Sequence, residues 1–442
     1  MDNRAEPSDL PAAFCVLPWT QIATTVKGFT RLCCFAKNLR DQQGRRLLLT
    51  KSVALSDIWN SEAYRQVRRQ MLSGSLPKDC EHCQRHESGG LLSKRQKYNR
   101  QRPEWAGDFA SLIAATDADG ALHRPPRVFD LRLGNVCNLK CVMCRPELSS
   151  KWEGDYRSLR ESQFVLPQSV QEHLSWTLDD NEGNNDWFAD GKVIDFFRGN
   201  LGHVRQLYFS GGEPLLSSSH RELVNLCIES GYAKNIELIY DTNGLGISEE
   251  WLKIWSQFGG IDIHISIDGL GEKYEYIRFP GKFVEFEKAA RALAEWEFSG
   301  KKVRILVTLQ ALNILDQAEI LDWYWTLFGR ESQIRHSIVF GQVRWPECLS
   351  PRILPLEGRR RAFQKAEDYA HKLLASGVPK SELFPLGDLG RRMEFCFEDT
   401  QGGNKRVEDF LVYLGQLDQV RGTCWQKTFP ELAGLIEEVG RG

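Results

Sequence analysis

The chain has 442 residues, 42% of them hydrophobic and 26% charged, and its 57 basic and 59 acidic side chains leave a formal charge of -2. That length suits two or three domains, the composition excludes a disordered or fibrous chain, and a charge near zero excludes a global field for nucleic acid or an anionic membrane. The start, Met1 to Pro7, has no apolar signal core and no run of about eighteen apolar residues follows, so a cytoplasmic location is expected.

The first hundred residues contain short apolar segments near Phe14 to Ile22 and Phe29 to Phe35, then one clear helix. Asn60 or Ser61 offers its N-cap, Tyr64, Val67, Met71 and Leu72 share a face, and Gly74 ends it. The basic run from Lys94 to Arg102 reads as a solvated face or a surface for an acidic leader peptide. Residues 1–104 are read as a small domain and 105–126, punctuated by Gly120 to Pro126, as a linker.

From Val128 onward, strands are expected near 128–133, 204–210, 235–241, 262–268, 303–310 and 334–340, separated by helices such as Arg221 to Glu229, Glu249 to Gln257 and Glu285 to Glu297. This alternation implies an α/β fold with parallel strands and right-handed crossovers. Three strands also alternate within themselves. Phe129, Leu131 and Leu133 oppose Asp130 and Arg132; Ile263, Ile265 and Ile267 oppose His264, Ser266 and Asp268; Ile305, Val307 and Leu309 oppose Arg304, Thr308 and Gln310. A parallel sheet buried on both faces reads as continuously apolar, so the polar faces predict a wettable interior and a partial barrel over 127–345. Helices from Leu356 to Ala375 and Leu411 to Val420 predict a helical carboxy-terminal region, 346–442.

Twelve cysteines in a chain without an export signal point to metal rather than disulfides. Cys137, Cys141 and Cys144 form a C-x3-C-x2-C triplet just after the first strand of the alternating region. Three thiolates on one loop can hold three irons of a four-iron cluster and leave the fourth open to a chelating ligand; a zinc site lacking a ligand and three coincidental thiols are the alternatives. Cys15, Cys33, Cys80 and Cys83 supply a complete set of four for zinc or a second cluster, with Cys34 a spare neighbour. Cys348 is either a buried small hydrophobe or a hydrogen-atom donor near the strand ends, Cys227 is expected in the core, and Cys396 and Cys424 are undecided. His264 and Arg304 could bind substrate or pair with each other's surroundings inside the lumen.

The triplet resembles the signature of the radical S-adenosylmethionine (radical SAM) superfamily, with Met143 where that family usually has an aromatic residue. Ser210-Gly211-Gly212-Glu213-Pro214 resembles its GGE motif, and Asp241-Thr242-Asn243-Gly244, Ser266-Ile267-Asp268-Gly269 and Arg278 fall at successive strand ends or just beyond. The resemblance implies a four-iron four-sulfur cluster on Cys137, Cys141 and Cys144, and S-adenosylmethionine contacted by Met143, Ser210, Gly211, Gly212, Glu213, Asn243, Ser266, Asp268 and Arg278. In this reading Glu213 accepts from the cofactor's ammonium group and Arg278 meets its carboxylate.

Cys15, Gly28, Cys33, Cys80 and Cys83 resemble the opening of the SPASM and twitch modules, which carry auxiliary clusters, although here the module precedes the barrel. The resemblance implies a second four-iron cluster on Cys15, Cys33, Cys80 and Cys83. It also implies reductive cleavage of S-adenosylmethionine to a 5'-deoxyadenosyl radical and hydrogen abstraction from a peptide or protein, with an electron donor such as flavodoxin or ferredoxin. The alternatives are radical chemistry on a small molecule such as an amino sugar or nucleotide, and a zinc-stabilised scaffold without catalysis.

Overall fold

The structure is a computed structural model that describes residues 10–49, 55–90, 92–101, 108–161, 166–175, 185, 187–189, 191–329, 336–394 and 403–440. Two compact units make up the chain. The first comprises Met1–Gly134, Asn181–Tyr240 and Lys253–Ile261, and the second Asn135–Asp180, Asp241–Leu252 and Asp262–Gly442.

In the first unit, strands β1 (Gln21–Thr24), β2 (Thr30–Arg31), β3 (Val128–Arg132), β4 (Gln206–Ser210) and β5 (Glu237–Thr242) follow the order β2-β1-β3-β4-β5. Only β2 is antiparallel; β1 lies parallel to β3 with Ile22 opposite Phe129, so the cysteine-rich amino-terminal segment extends the edge of the parallel sheet. The alternation expected for β3 is absent, because Asp130 is 2% exposed and four of its five residues are buried. One face packs Phe129 against Phe196 and Phe197 of the helix Lys192–Asn200. The other lies within electrostatic reach of Tyr98 on the helix Lys94–Gln101. A strand covered on both sides has no solvated face to advertise.

The helix Glu62–Leu72 begins at Ser61, whose side chain accepts from the Tyr64 amide, and ends before Gly74 at φ 83. Tyr64, Val67 and Met71 are buried as their spacing requires, and so is Arg68, at 0% exposure. The Arg68 guanidinium donates to the carbonyls of Pro18, Trp59 and Gly120 and to Asn60 Oδ1, all between 3.0 and 3.2 Å, and lies 4.5 Å from the Trp59 ring. An arginine that satisfies several buried carbonyls behaves as part of the core.

In the second unit, β6 (Gly260–Ser266), β7 (Lys301–Leu309) and β8 (His336–Gln342) follow the order β6-β7-β8, and β7 and β8 run parallel from Val303 opposite His336 to Leu309 opposite Gln342. β7 alternates buried and accessible residues along its whole length, as its sequence predicts. Helices Phe283–Glu295, Gln317–Phe328, Leu356–Ala375, Phe384–Glu394 and Gly403–Arg421 accompany these strands. The helix Phe384–Glu394 escapes the periodicity because Pro385, Gly387 and Gly390 dilute it. Gly403–Arg421 starts earlier than expected because its first turns are polar. Among the described residues, no helix is long and apolar enough to cross a membrane.

Arg68→Met should therefore lower unfolding free energy by about 3 kcal/mol in urea titration, because carbonyls are left buried without donors. A change below about 0.5 kcal/mol would show that Arg68 carries no structural weight.

Candidate functional site

The C-x3-C-x2-C loop belongs to the second unit and has no regular secondary structure, so its backbone groups need partners from elsewhere. Asn135 closes its base: the Nδ2 donates to Pro146 O at 3.1 Å, and the carbonyl accepts from the Ser150 amide at 2.8 Å. The amides of Lys140 and Val142 donate to Phe279 O and Ile277 O at 2.7 and 2.8 Å. That pairing fixes Arg278, the residue between the two acceptors, against the loop. Arg278 Nη2 meets Asp268 Oδ2 at 2.7 Å while Nη1 lies 3.9 Å from Cys141 Sγ, and the other Asp268 oxygen accepts from the Thr308 amide at 2.7 Å. Asn243 Nδ2 donates to Asn138 Oδ1 at 2.7 Å, tying the segment after β5 to the loop.

Cys137, Cys141, Cys144 and Met143 are half-buried. Burial pushes the Cys144 thiol well up, and the charges of Cys141 and Cys137 push it further, so the three thiols lie within electrostatic reach of one another. The loop thus collects Cys137, Cys141, Cys144, Asn243, Asp268 and Arg278 from far-apart stretches of sequence. Ser266 ends β6, half-buried.

The Ser210-Gly211-Gly212-Glu213 turn belongs to the first unit and is built around Gly134. Gly211 has φ 119, and a Cβ there would stand 3.0 Å from Gly134 O, which accepts from the Gly212 amide at 3.1 Å. Only glycine combines that φ with that approach. Ser210 Oγ is buried without a hydrogen-bond partner, and one oxygen of the buried Glu213 accepts from the Leu215 amide at 3.2 Å.

Also in the first unit, Cys15, Cys33, Cys80 and Cys83 come together. Burial pushes the Cys15 thiol up strongly, and Cys33, Cys80 and Cys83 all add to it; Cys80 is pushed up to about 12 by burial and then by Cys33 and Cys83. The basic run, expected as a solvated face, is the helix Lys94–Gln101 and holds this group in place. Arg95 donates to Ala12 O and Phe14 O at 2.9 Å and pairs with Glu87, while Asn99 bonds Phe14 O and the Val16 amide on either side of Cys15. Lys94 Nζ lies 3.0 Å from Cys34 Sγ, which gives the fifth cysteine its own partner. Among the described residues, no three His, Cys, Asp or Glu side chains close on one point as around a single ion, and the eleven described cysteines are free thiols. Two sets of thiols, each within mutual reach and on segments rigidly held, are donor sets that fit iron-sulfur clusters.

The remaining residues singled out in the sequence divide. Cys227 is in the core at 0% exposure and Cys348 at 1%, Cys424 is half-buried, and Cys396 lies outside the described residues. His264 and Arg304 pair internally. His264 sits between Asp241 Oδ1 (2.7 Å) and Asp262 Oδ1 (3.3 Å), and Arg304 forks onto Asp262 at 2.6 to 3.1 Å. Burial disfavours the charged imidazole, but the bonds to Asp241 and Asp262 outweigh it and hold its pKa at about 9. His264 and Arg304 hold Asp262 well below the ordinary carboxylate range in spite of its burial. The alternation in sequence singled out His264 and Arg304 but not Asp262, which lies between Ile261 and Ile263 in the same polar row of β6.

Residues 190–323 match the family model of the radical SAM superfamily, and residues 15–84, which include all four amino-terminal cysteines, match that of SPASM, an iron-sulfur cluster-binding domain. The chain thus carries a radical SAM domain and, ahead of it, a SPASM-type iron-sulfur cluster-binding domain. The Fe-coproporphyrin III synthase of Methanosarcina barkeri is 26% identical over 186 residues, 42% of this chain and 38% of that protein. Mycofactocin maturase MftC of Mycolicibacterium smegmatis is 27% identical over 183 residues, 41% and 38% respectively. Sporulation killing factor maturation protein SkfB of Bacillus subtilis is 22% identical over 192 residues, 43% and 38%. The chain therefore spans well under half the length of these relatives.

Because the folded pKa of His264, about 9, lies above the ordinary 6.5, its contribution to stability is complete below pH 6.5 and lost as pH rises through 9. Urea unfolding should show stability falling by about 3 kcal/mol across that window, with the slope flattened in His264→Gln. An identical slope in the variant would assign the pH dependence to other groups.

Proposed function

We propose that this chain reductively cleaves S-adenosylmethionine and abstracts a hydrogen atom from a peptide or protein substrate. The observation that carries this reading is the loop of Cys137, Cys141 and Cys144, which offers three mutually close thiols and, between Asn135 and Ser150, no fourth cysteine or histidine. When bound, the cluster and S-adenosylmethionine supply one-electron cleavage of the sulfonium and a 5'-deoxyadenosyl radical that takes a hydrogen atom from substrate.

The chain's own residues bind and orient. Met143, Asn243, Ser266, Asp268 and Arg278 are assigned to the cofactor, with Arg278 directed to its carboxylate and kept charged by Asp268. Ser210, Gly211, Gly212 and Glu213 are assigned to it as well, the glycines for close backbone approach and Glu213 for the ammonium group. Residues 1–104 serve as the auxiliary-cluster domain, 127–345 as the catalytic barrel and 346–442 as its helical extension. The reaction takes place in the cytoplasm, with flavodoxin or ferredoxin as electron donor.

A peptide or protein substrate is supported by the names of two relatives, a maturase and a maturation protein. Chemistry on a small molecule is the second reading, favoured by the match to Fe-coproporphyrin III synthase.

Anaerobically reconstituted protein should be brown, hold about seven to eight irons, and form 5'-deoxyadenosine with dithionite and S-adenosylmethionine, read by mass spectrometry. Cys141→Ala should lose that product and Cys348→Ala should keep it; continued formation by Cys141→Ala would sink the mechanism, and colourless protein with stoichiometric zinc would favour a scaffold. Precursor peptides encoded beside the gene should change mass in step with 5'-deoxyadenosine. Turnover of a small molecule with every such peptide unaltered would move the assignment to the second reading.

A further inference from the structure

The carbonyls of the cysteine loop are gripped one after another by side chains that lie far away in sequence. Ser149 Oγ donates to Leu139 O, Arg421 Nη2 to Lys140 O at 2.8 Å, and Trp152 Nε1 to Cys141 O at 3.0 Å. Tyr413 Oη donates to Val142 O at 2.7 Å, and His173 Nε2 to Cys144 O at 3.2 Å. A carbonyl only accepts, so His173 carries its proton on Nε2. Tyr413 is fully buried and His173 is 4% exposed. The Arg421 side chain is 2% exposed, and its Nε pairs with Asp155 at 2.7 Å. All three lie outside residues 15–84 and 190–323, which carry the family matches.

In a planar trans peptide the N–H points opposite to the C=O, so a donor that fixes a carbonyl also aims the next amide. The peptides 139–140 and 141–142 spend their amides on Phe279 O and Ile277 O. The other three do not. Arg421 fixes the peptide that ends in the Cys141 amide, and His173 fixes the one that ends in the Arg145 amide; in the same loop the Leu139 amide donates to Cys137 Sγ at 3.5 Å. Tyr413 fixes the peptide between them, whose amide belongs to Met143. Hydrogen bonds to cluster sulfurs stabilise the more negative, reduced state and raise the reduction potential.

We propose that Tyr413, His173 and Arg421 are positioning residues that set the reduction potential of the cluster on Cys137, Cys141 and Cys144, by holding the backbone of the loop that carries its thiolates. The inference rests on the reading of that loop as the cluster site. A purely structural role for these contacts would change stability or iron loading and leave the potential where it is.

The test is an EPR-monitored redox titration of the reconstituted holoenzyme, in which the relevant signal is the one lost in Cys141→Ala. If no signal is lost in Cys141→Ala, the cluster assignment itself fails, and the result is distinct from failure of the present proposal. Tyr413→Phe and His173→Phe should each disfavour reduction roughly three- to tenfold, tenfold being about 59 mV for one electron, and His173→Gln, which keeps a donor, should recover most of the shift. Wild-type midpoints in iron-loaded Tyr413→Phe and His173→Phe overturn the proposal. Should Tyr413→Phe fail to load iron, the His173 variants decide alone, and equal midpoints in His173→Phe and wild type overturn it.

Discussion

A loop without helix or strand can be buried only if each of its peptide groups finds a partner. The segment around Cys137, Cys141 and Cys144 meets that requirement with side chains from Ser149, Trp152, His173, Tyr413 and Arg421 and with the backbone of Ile277 and Phe279. Everything else in the second unit that bears on the site follows from this. Arg278 is presented to the loop because its neighbours on both sides pair with it, and the helix Gly403–Arg421 is anchored because two of its residues hold loop carbonyls. The carboxy-terminal helices are therefore part of the site's construction.

The amino-terminal thiols obey the same rule with different parts. Cys15 sits in an irregular segment whose flanking carbonyls and amide are taken by Arg95 and Asn99, so a helix that looks like a solvated basic face is a clamp. Arg68 does for the neighbouring helix what Arg95 does for Cys15. In both cases a buried guanidinium collects carbonyls that no regular ladder can reach, using its several fixed donors.

The polar faces of β6 and β7 show how a charged lumen stays stable. Asp241, His264, Asp262 and Arg304 alternate in sign along a connected chain, so each charge stands beside an opposite one. An uncompensated charge there would cost several kcal/mol. The two ends of the chain, Asp241 and Arg304, retain about two fifths of their side-chain exposure, which leaves the ladder in contact with whatever fills the interior.

The sequence alone determined the class. The spacing of Cys137, Cys141 and Cys144, the Gly-Gly turn before Glu213, and the strand-helix alternation are local properties, set by a few neighbouring residues and by periodicity. So are the helix capped by Ser61 and the alternating strand β7, each within a residue or two of its expected limits. Tertiary structure alone decided what holds those motifs. Tyr413 and Arg421 meet the cysteine loop across more than 270 residues, Asn99 meets Cys15's neighbours across more than 80, and Asp130 is buried because helices cover both faces of β3. No window of sequence contains both partners of such a bond, and a single buried donor leaves no period to read, so only the folded chain reveals which polar residues are bound to which carbonyls.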